Sequence, residues 1–260
     1  MLKAGNNPDK LFLAMNLGNT NLNLGFFREG TLIQAAKIPL DSVNSDEAWR
    51  GIPGGLLPAV TWAVMAGVNP PKTELVLDSV TSRLKAVIKQ IGPDLAVPVV
   101  AEVDNPEQVG VDRLLDVLAA FQRTRSACLV CDCGTAITIN VCSREGHFLG
   151  GIIAPGLRTA ASSLHHATAL LPVVEIACPG TVTGRNTIEA IRSGVFWGTV
   201  SMVEGLVARL RTEHPEIRRV LATGGDAALL TSATTVIDEL DPHLTLEGIH
   251  LAARAAGFVP

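Results

Sequence analysis

The sequence predicts an α/β protein built from two related lobes. A chain of 260 residues is long enough for two domains of roughly 100 to 150 residues each. The same plan also occurs twice along it: an apolar strand, a polar turn with glycine, two further strands, and then helices. We expect an N-terminal lobe over residues 1–115 and a C-terminal lobe over residues 116–260.

The first half opens with a predicted meander of three strands: Lys10–Met15, Asn21–Phe27 and Thr31–Pro39. Helix-forming residues follow over Ser45–Ala66, interrupted by the glycines and proline of residues 51–55. Glu74–Val80 is predicted as a strand and Ser82–Gln90 as a helix. These elements complete the first lobe.

The second half repeats the pattern after a predicted amphipathic helix at Val111–Arg123. Its three predicted strands are Ala127–Asp132, Ile137–Cys142 and His147–Ile153. A long helix at Asn186–Glu213, a strand at Arg218–Thr223 and a final helix from about Leu246 follow. The repeated order of strand, turn and strand therefore indicates one structural unit that occurs twice.

Composition excludes several classes of partner. Lys and Arg total 21 against 25 for Asp and Glu, so the formal net charge of −4 provides no basic field for nucleic acid or an anionic membrane. The apolar runs fall short of the ~20 residues that a membrane span needs, and residues 1–10 lack the features of a signal peptide. Five cysteines, an odd number, favour buried thiols in a reducing compartment. We expect a cytoplasmic protein.

Two glycine turns are the candidate binding elements. In "NLGNTNLN" (residues 16–23) and "DCGTA" (residues 132–136), backbone N–H groups can converge on an anion, and small polar side chains add donors. Either turn alone is also explained as an ordinary hairpin turn, whereas the repeat favours a phosphate cradle. Neither a P-loop nor a dinucleotide-binding glycine motif is present in the sequence.

A third glycine turn follows the strand that ends at Thr223. In "ATGGD", two glycines would let the backbone approach a flat ligand closely, as an adenine-binding turn does. An ordinary turn between a strand and a helix is the alternative.

Six blocks together resemble, in order and spacing, those of type III pantothenate kinases. They are "NLGNTN", "GVDR" at Gly110–Arg113, "DCGTAIT" at Asp132–Thr138, "GGIIAPG" at Gly150–Gly156, "GRNT" at Gly184–Thr187 and "ATGG" at Ala222–Gly225. The resemblance covers nearly the whole chain. It implies the fold of acetate kinase, sugar kinases, Hsp70 and actin, with two related α/β lobes, ATP in the cleft between them, and a homodimer.

The resemblance also implies a set of cofactors. ATP would be bound with Mg²⁺ or another divalent cation, and Asp132 would help to hold a monovalent cation, K⁺ or NH₄⁺. The residues expected at ATP, from the resemblance and the turn chemistry, are Asn16, Gly18, Asn19, Thr20, Asn21, Asn23, Thr135, Gly224 and Gly225.

The implied reaction is the ATP-dependent phosphorylation of pantothenate to 4'-phosphopantothenate, the first step of coenzyme A biosynthesis. The residues expected at pantothenate are Gly110, Val111, Arg113 and Thr187. Asp112 would be the general base, because a carboxylate beside the alcohol can take its proton as the phosphoryl group arrives. Taken alone, Asp112 and Arg113 also suit an ordinary helix start, and Thr187 an ordinary helix cap.

Three departures from the family pattern leave alternatives open. Asn16 stands where an aspartate faces the Mg²⁺ and phosphates, Val103 where many relatives have tyrosine, and Asp116 where asparagine is common. An amide keeps the shape of a carboxylate and loses its charge, so metal organisation weakens. The alternatives to a pantothenate kinase are a kinase for another small hydroxy acid and a catalytically silent relative that binds nucleotide or metabolite in a regulatory role.

Overall fold

The computed structural model describes residues 10–67 and 70–259, which form two units. The first unit comprises the described residues up to Val99, Glu107–Ala119 and those from His243 onwards. The second comprises Val100–Pro106 and Ala120–Pro242. The lobe boundary expected after residue 115 stays a prediction, since these units draw on three and two stretches of the chain.

Each unit contains one five-stranded sheet. The strands of the first are β1 Leu11–Leu17, β2 Asn21–Arg28, β3 Thr31–Pro39, β4 Val60–Gly67 and β5 Val87–Gln90. The strands of the second are β6 Cys128–Cys133, β7 Ala136–Cys142, β8 Phe148–Pro155, β9 Arg219–Thr223 and β10 Glu239–Leu240. The helices are α1 Asp46–Trp49, α2 Leu56–Ala59, α3 Pro70–Thr81, α4 Val111–Thr124, α5 Leu157–His166, α6 Thr187–Glu213, α7 Ala227–Thr231 and α8 Leu244–Ala255.

The two sheets have the same topology. Their orders are β3-β2-β1-β4-β5 and β8-β7-β6-β9-β10. In each, the first three strands along the chain form an antiparallel meander, and the later two pair in parallel beside its first strand. The repeat predicted from the sequence is therefore present at the level of strand order and direction.

The predictions for both meanders are confirmed, whereas those for residues 60–90 are wrong. Glu74–Val80 lies within α3, where buried Val76, Ser79 and Val80 follow the helical spacing of three and four residues. The predicted helix Ser82–Gln90 is a loop followed by β5, whose residues pair in parallel with β4. Val60–Gly67 is a strand because that pairing outweighs the helix propensity of its alanines and methionine.

The helix predictions at α4, α6 and α8 are confirmed, while α5, α7 and β10 were not predicted. All five cysteines are free. Cys178 is exposed, so the expectation that every thiol is buried is wrong at that position, where the chain runs through an irregular segment. Across the described residues, no helix combines the length and the apolar character that crossing a membrane requires.

The core of the first unit covers both faces of β1. Leu11, Leu13, Met15 and Leu17 pack into one apolar cluster. Phe12 and Ala14, on the other face, pack with Leu246 and Ile249 of α8. Asn16, near the carboxyl end of β1, is the one polar residue of this strand, and its half-buried amide takes the place of an apolar side chain. The core thus places the first polar turn at the edge of the sheet.

Candidate functional site

The first turn is a tight hairpin between β1 and β2. Gly18 N donates to Asn21 O at 3.0 Å, and Leu40 N donates to Thr20 O at 3.0 Å. The Asn21 side chain donates to Thr20 Oγ1 at 2.8 Å. Asn19 and Thr20 are exposed at the tip. The turn is therefore held from within and from the segment after β3, with its tip accessible to a ligand.

Three asparagines share one face of this hairpin. Asn16 and Asn23 are directly opposite each other across the strands, and Asn21 lies two residues before Asn23 on the same strand. All three are half-buried. On the opposite face, Leu17 and Leu22 are fully buried in the core. The hairpin offers amide donors and acceptors on one face, and residues 16–23 include no charged side chain.

Asp112 lies in the first turn of α4, after the tight approach of Gly110. A Cβ on Gly110 would come within 2.6 Å of Asp112 Oδ1, so a larger residue there would displace the Asp112 carboxylate from this position. Oδ1 accepts a hydrogen bond from Arg113 N at 2.9 Å. Burial raises the pKa of Asp112 above its usual value, although the hydrogen bond and the Arg113 charge oppose the rise. The result is a half-buried carboxylate that is more basic than an exposed one.

Arg113 and Asp116 lie one helical turn apart on α4. Burial lowers the pKa of the Arg113 guanidinium, and the charges of Asp112 and Asp116 counteract that change. Asp116 is 1% exposed, and its Oδ1 accepts a 2.7 Å hydrogen bond from Thr245 Oγ1 of α8. The sequence marked Asp116 as a departure but missed Thr245, which lies 129 residues away.

The second turn joins β6 and β7 and is held by its backbone. Gly134 N donates to Ala136 O at 2.9 Å. Thr135 O accepts from Gly156 N at 3.0 Å and from Thr159 Oγ1 at 2.6 Å. A Cβ on Gly156 would lie 2.0 Å from Gly134 O, so the "APG" glycine allows this close approach. The "GGIIAPG" block, whose role the sequence left open, thus fastens the turn that carries Thr135.

Asp132 and Gly224 meet at the carboxyl ends of two parallel strands. Asp132 of β6 is in register with Thr223 of β9. Gly224 has a φ of +94°, and a Cβ there would lie 2.3 Å from Asp132 Oδ1 and 2.6 Å from Cys133 O. The Asp132 carboxylate and the Cys133 carbonyl therefore pack directly against the Gly224 backbone, an approach that only a glycine allows. Carboxylate and carbonyl oxygens are the ligand type that binds hard cations. The neighbouring Gly225 is exposed.

Asp226 is a further polar residue at this turn that sequence reasoning missed. Its N–H donates to Cys133 O at 2.9 Å, and its carboxylate pairs with Arg158 at 3.1 Å. Arg158 lies at the start of α5 and its side chain is 79% exposed, so the pair is expected to be weak in water. The third residue of "GGD" was the available signal.

Thr187 begins α6 and lines a cavity in the second unit. Asn186 is the N-cap, with its Oδ1 accepting from Glu189 N at 2.9 Å, so Thr187 does not act as the cap. The cavity has a volume of about 860 Å³. Gly184, Arg185 and Met202 also line it. This volume lies within the range of small-molecule pockets.

Val103 lies beside the "GGIIAPG" block. A Cβ on Gly150, which begins "GGIIAPG", would be 3.7 Å from Val103 Cγ1, an ordinary van der Waals contact. Val103 is half-buried. A small aliphatic side chain therefore lies beside the glycine pair where many relatives have a tyrosine.

The sequence profile of type III pantothenate kinases matches residues 12–209. The chain belongs to this family. A type III pantothenate kinase from Dehalococcoides mccartyi is 34% identical over 246 residues, which are 92% of this chain and 95% of the relative. Another from Geotalea daltonii is 30% identical over 254 residues, 93% of this chain and 97% of the relative. Membership of this kinase family confirms that the chain is an enzyme of the phosphotransferase type.

Solved structures agree on the fold of this type III pantothenate kinase. A Campylobacter jejuni protein named for a Baf family of transcriptional activators has a TM-score of 0.60 at 18% identity. The match covers 95% of this chain and 100% of that one. Component A of (R)-2-hydroxyglutaryl-CoA dehydratase from Acidaminococcus fermentans has a TM-score of 0.53 at 13% identity, covering 94% and 96%. The predicted class, α/β of the acetate kinase, sugar kinase, Hsp70 and actin type, is confirmed.

Proposed function

We propose that this chain transfers the γ-phosphoryl group of ATP to the primary alcohol of pantothenate, giving 4'-phosphopantothenate in the first step of coenzyme A biosynthesis. Family membership supports the reaction. The observation that carries an active enzyme is Asp112, a half-buried carboxylate whose pKa is raised by burial at the start of α4. A carboxylate whose pKa is raised accepts a proton more readily than an ordinary exposed carboxylate.

The two carboxylate oxygens of Asp112 have different roles in this proposal. Oδ1 accepts the N–H of Arg113 at 2.9 Å, and this fixes the orientation of the carboxylate. We assign Oδ2 to accept the proton of the pantothenate hydroxyl. The same hydrogen bond also suits an ordinary helix start, so the raised pKa is what favours the catalytic role.

Pantothenate is a carboxylate with two hydroxyl groups and an amide, so it needs a cation and several polar partners. Arg113 of α4 is the cation that we assign to its carboxylate, because a guanidinium binds a carboxylate through two parallel hydrogen bonds. Gly110 and Val111 precede it in the same loop. Thr187, at the start of α6, is assigned a hydroxyl contact with pantothenate.

ATP supplies the transferable phosphoryl group, accompanied by Mg²⁺ or another divalent cation. We propose that the first turn binds its phosphates through backbone N–H groups and the side chains of Asn16, Asn19, Thr20, Asn21 and Asn23. Gly18 permits the tight turn, and Thr135 adds a contact from the second turn. Gly224 and Gly225 allow the adenine to approach the backbone closely.

Asp132 is the residue that we assign to a monovalent cation, K⁺ or NH₄⁺. The position of the Asp132 carboxylate near the end of β6, beside the second turn, supports this assignment, because carboxylate oxygens bind hard cations. We further propose a cytoplasmic homodimer, as the family resemblance implies. Light scattering after size-exclusion chromatography tests the dimer.

A catalytically silent relative is the second candidate, and Asn16 favours it. An uncharged amide at the end of β1 organises a divalent cation less strongly than a carboxylate. A silent protein would bind nucleotide or metabolite and act in regulation. A kinase for another hydroxy acid is the variant that Val103 favours, because the tyrosine of many relatives is missing beside Gly150.

The deciding experiment is a turnover assay with purified protein, ATP, pantothenate, K⁺ and either Mg²⁺ or Mn²⁺. We expect a product with the mass of 4'-phosphopantothenate, formed by the wild type and greatly reduced in Asp112→Asn. Absence of product with both metals, together with measurable ATP binding, would show that the chain is a catalytically silent relative. Product from another hydroxy acid alone would establish the altered substrate.

A further inference from the structure

Lys72 lies beside the first turn and has no role in the site described so far. Its Nζ is 3.5 Å from the carbonyl oxygen of Asn19, at the exposed tip of the hairpin. Lys72 occupies the first turn of α3, so the helix fixes the position of its backbone. Its side chain is half-buried. Both residues belong to the first unit.

The surroundings of Lys72 leave its charge poorly satisfied by the protein. A charge-assisted hydrogen bond to oxygen is usually about 2.7–2.9 Å long, so the 3.5 Å contact with Asn19 is a weak one. The first turn of α3 contains no acidic residue, and a cation there faces the positive end of the helix dipole. A bound anion would relieve this repulsion.

The turn that Lys72 contacts is uncharged. Residues 16–23 carry only amide, hydroxyl, glycine and leucine side chains, and Asn16 stands where the family pattern has a carboxylate. A triphosphate chain bears several negative charges, and neutral donors alone neutralise none of them. A side-chain cation at 3.5 Å from the turn is therefore positioned to do so.

We propose that Lys72 binds the phosphate oxygens of ATP at the first turn, and that its charge replaces part of the divalent-cation contact weakened by Asn16. The proposal rests on the proposed function, in which this turn holds the phosphates. Lys72 acts as a flexible point charge that leaves the Asn19 carbonyl and moves to the ligand. ATP affinity should consequently depend only weakly on Mg²⁺.

The test compares Lys72→Met, Lys72→Arg and the control Lys85→Met by isothermal titration calorimetry. Lys85 is exposed and follows the far end of α3. The probes are ATP, tripolyphosphate and adenosine, each with Mg²⁺ and with a chelator. We expect Lys72→Met to raise the Kd of ATP and tripolyphosphate without metal about tenfold, or ~1.4 kcal/mol. Lys72→Arg should restore most of the affinity, and Lys85→Met and all adenosine values should match the wild type.

The outcomes separate this proposal from the proposed function. Equal ATP affinity in the wild type and Lys72→Met would overturn the role of Lys72 and leave the kinase proposal intact. Equal weakening of adenosine would also overturn it, since the effect would not be on phosphates. A wild type that binds neither ATP nor tripolyphosphate would overturn both. The melting temperature of Lys72→Met should not fall, because the substitution removes a cation from a helix start.

Discussion

The two glycine turns share a backbone plan and differ in charge. Gly18 and Gly134 each donate an N–H to a carbonyl across the turn, at 3.0 Å and 2.9 Å. Asn16 lies near the end of β1 and Asp132 near the end of β6, each the first strand of its meander. The first turn has an amide where the second has a carboxylate. A repeated fold element thus keeps its geometry while its charge is free to diverge.

The turns also differ in what fastens them. Glycine backbones at Gly156 and Gly224 press directly against the second turn. The first is held by the Leu40 N–H and approached by the Lys72 side chain. The second turn is therefore fixed by close backbone packing, whereas the uncharged first turn has a cationic side chain beside it.

The largest effect should come from Asp112→Asn, which lies in neither turn and tests whether chemistry is separate from phosphate binding. Loss of a general base lowers kcat by ~10²- to 10⁴-fold. The Kd of ATP should stay within about twofold, since the turns are intact. Steady-state kinetics and calorimetry measure the two quantities, with Asp104→Asn, an exposed residue on the preceding loop, as the control. A variant with most of its activity would show that Asp112 is not the base.

The next effect should come from Asp132→Asn, which makes the second turn resemble the first. Loss of the carboxylate should lower the rate in K⁺ on the order of 10²-fold, because one electrostatic partner at a reacting phosphate is removed. In the wild type, replacing K⁺ by tetramethylammonium at equal ionic strength should have a similar effect. Equal wild-type rates in the two salts would contradict the cation site.

The reverse exchange, Asn16→Asp, makes the first turn resemble the second. A restored carboxylate should lower the Mg²⁺ concentration for half-maximal rate and raise kcat by ~10-fold, equivalent to ~1.4 kcal/mol of transition-state stabilisation. Asn23→Asp, on the opposite strand of the same face, is the matched control. A well-folded Asn16→Asp variant without any gain would mean that asparagine is adapted to its site. A catalytically silent protein would then be the better hypothesis.

The smallest effect concerns pH and stability. Because burial raises the pKa of Asp112, its contribution to stability is present below the unfolded-state pKa of ~3.9 and is lost as pH rises through the folded-state value. Asp112→Asn removes this titration, so its melting temperature should gain on the wild type as pH increases from about 4 to 7. Differential scanning fluorimetry across that range measures the gain. A difference that does not change with pH would show that Asp112 is not desolvated.

Sequence patterns predicted the meanders and their turns well because both depend on neighbouring residues. Alternating apolar side chains with glycine and asparagine between them define a hairpin locally. The parallel strands β4 and β5 were predicted wrongly, since their identity depends on pairing with residues far along the chain. Short apolar runs are ambiguous between helix and strand for the same reason.

The candidate site shows the same difference between local and distant information. The motifs could be predicted from the sequence, whereas the distant residues that contact them could not. Lys72 and Asn19 are separated by 53 residues, Arg158 and Asp226 by 68, and Asp116 and Thr245 by 129. No local periodicity connects such pairs, because the fold alone brings them within hydrogen-bond distance. The proposed residue roles stay predictions until the substitutions above are made.

Helix α8 imposes an order on the folding of the newly made chain. Its Leu246 and Ile249 cover the face of β1 that bears Phe12 and Ala14, and its Gly248 fits closely against Leu115 O. A ribosome adds roughly 5–20 residues per second from the N-terminus, so the second unit is fully synthesised before α8 exists. The first unit, whose synthesis begins first, therefore completes its fold last, and the face of β1 that α8 covers stays exposed until then. A translational stall before residue 244 would leave that face open to chaperones or to aggregation.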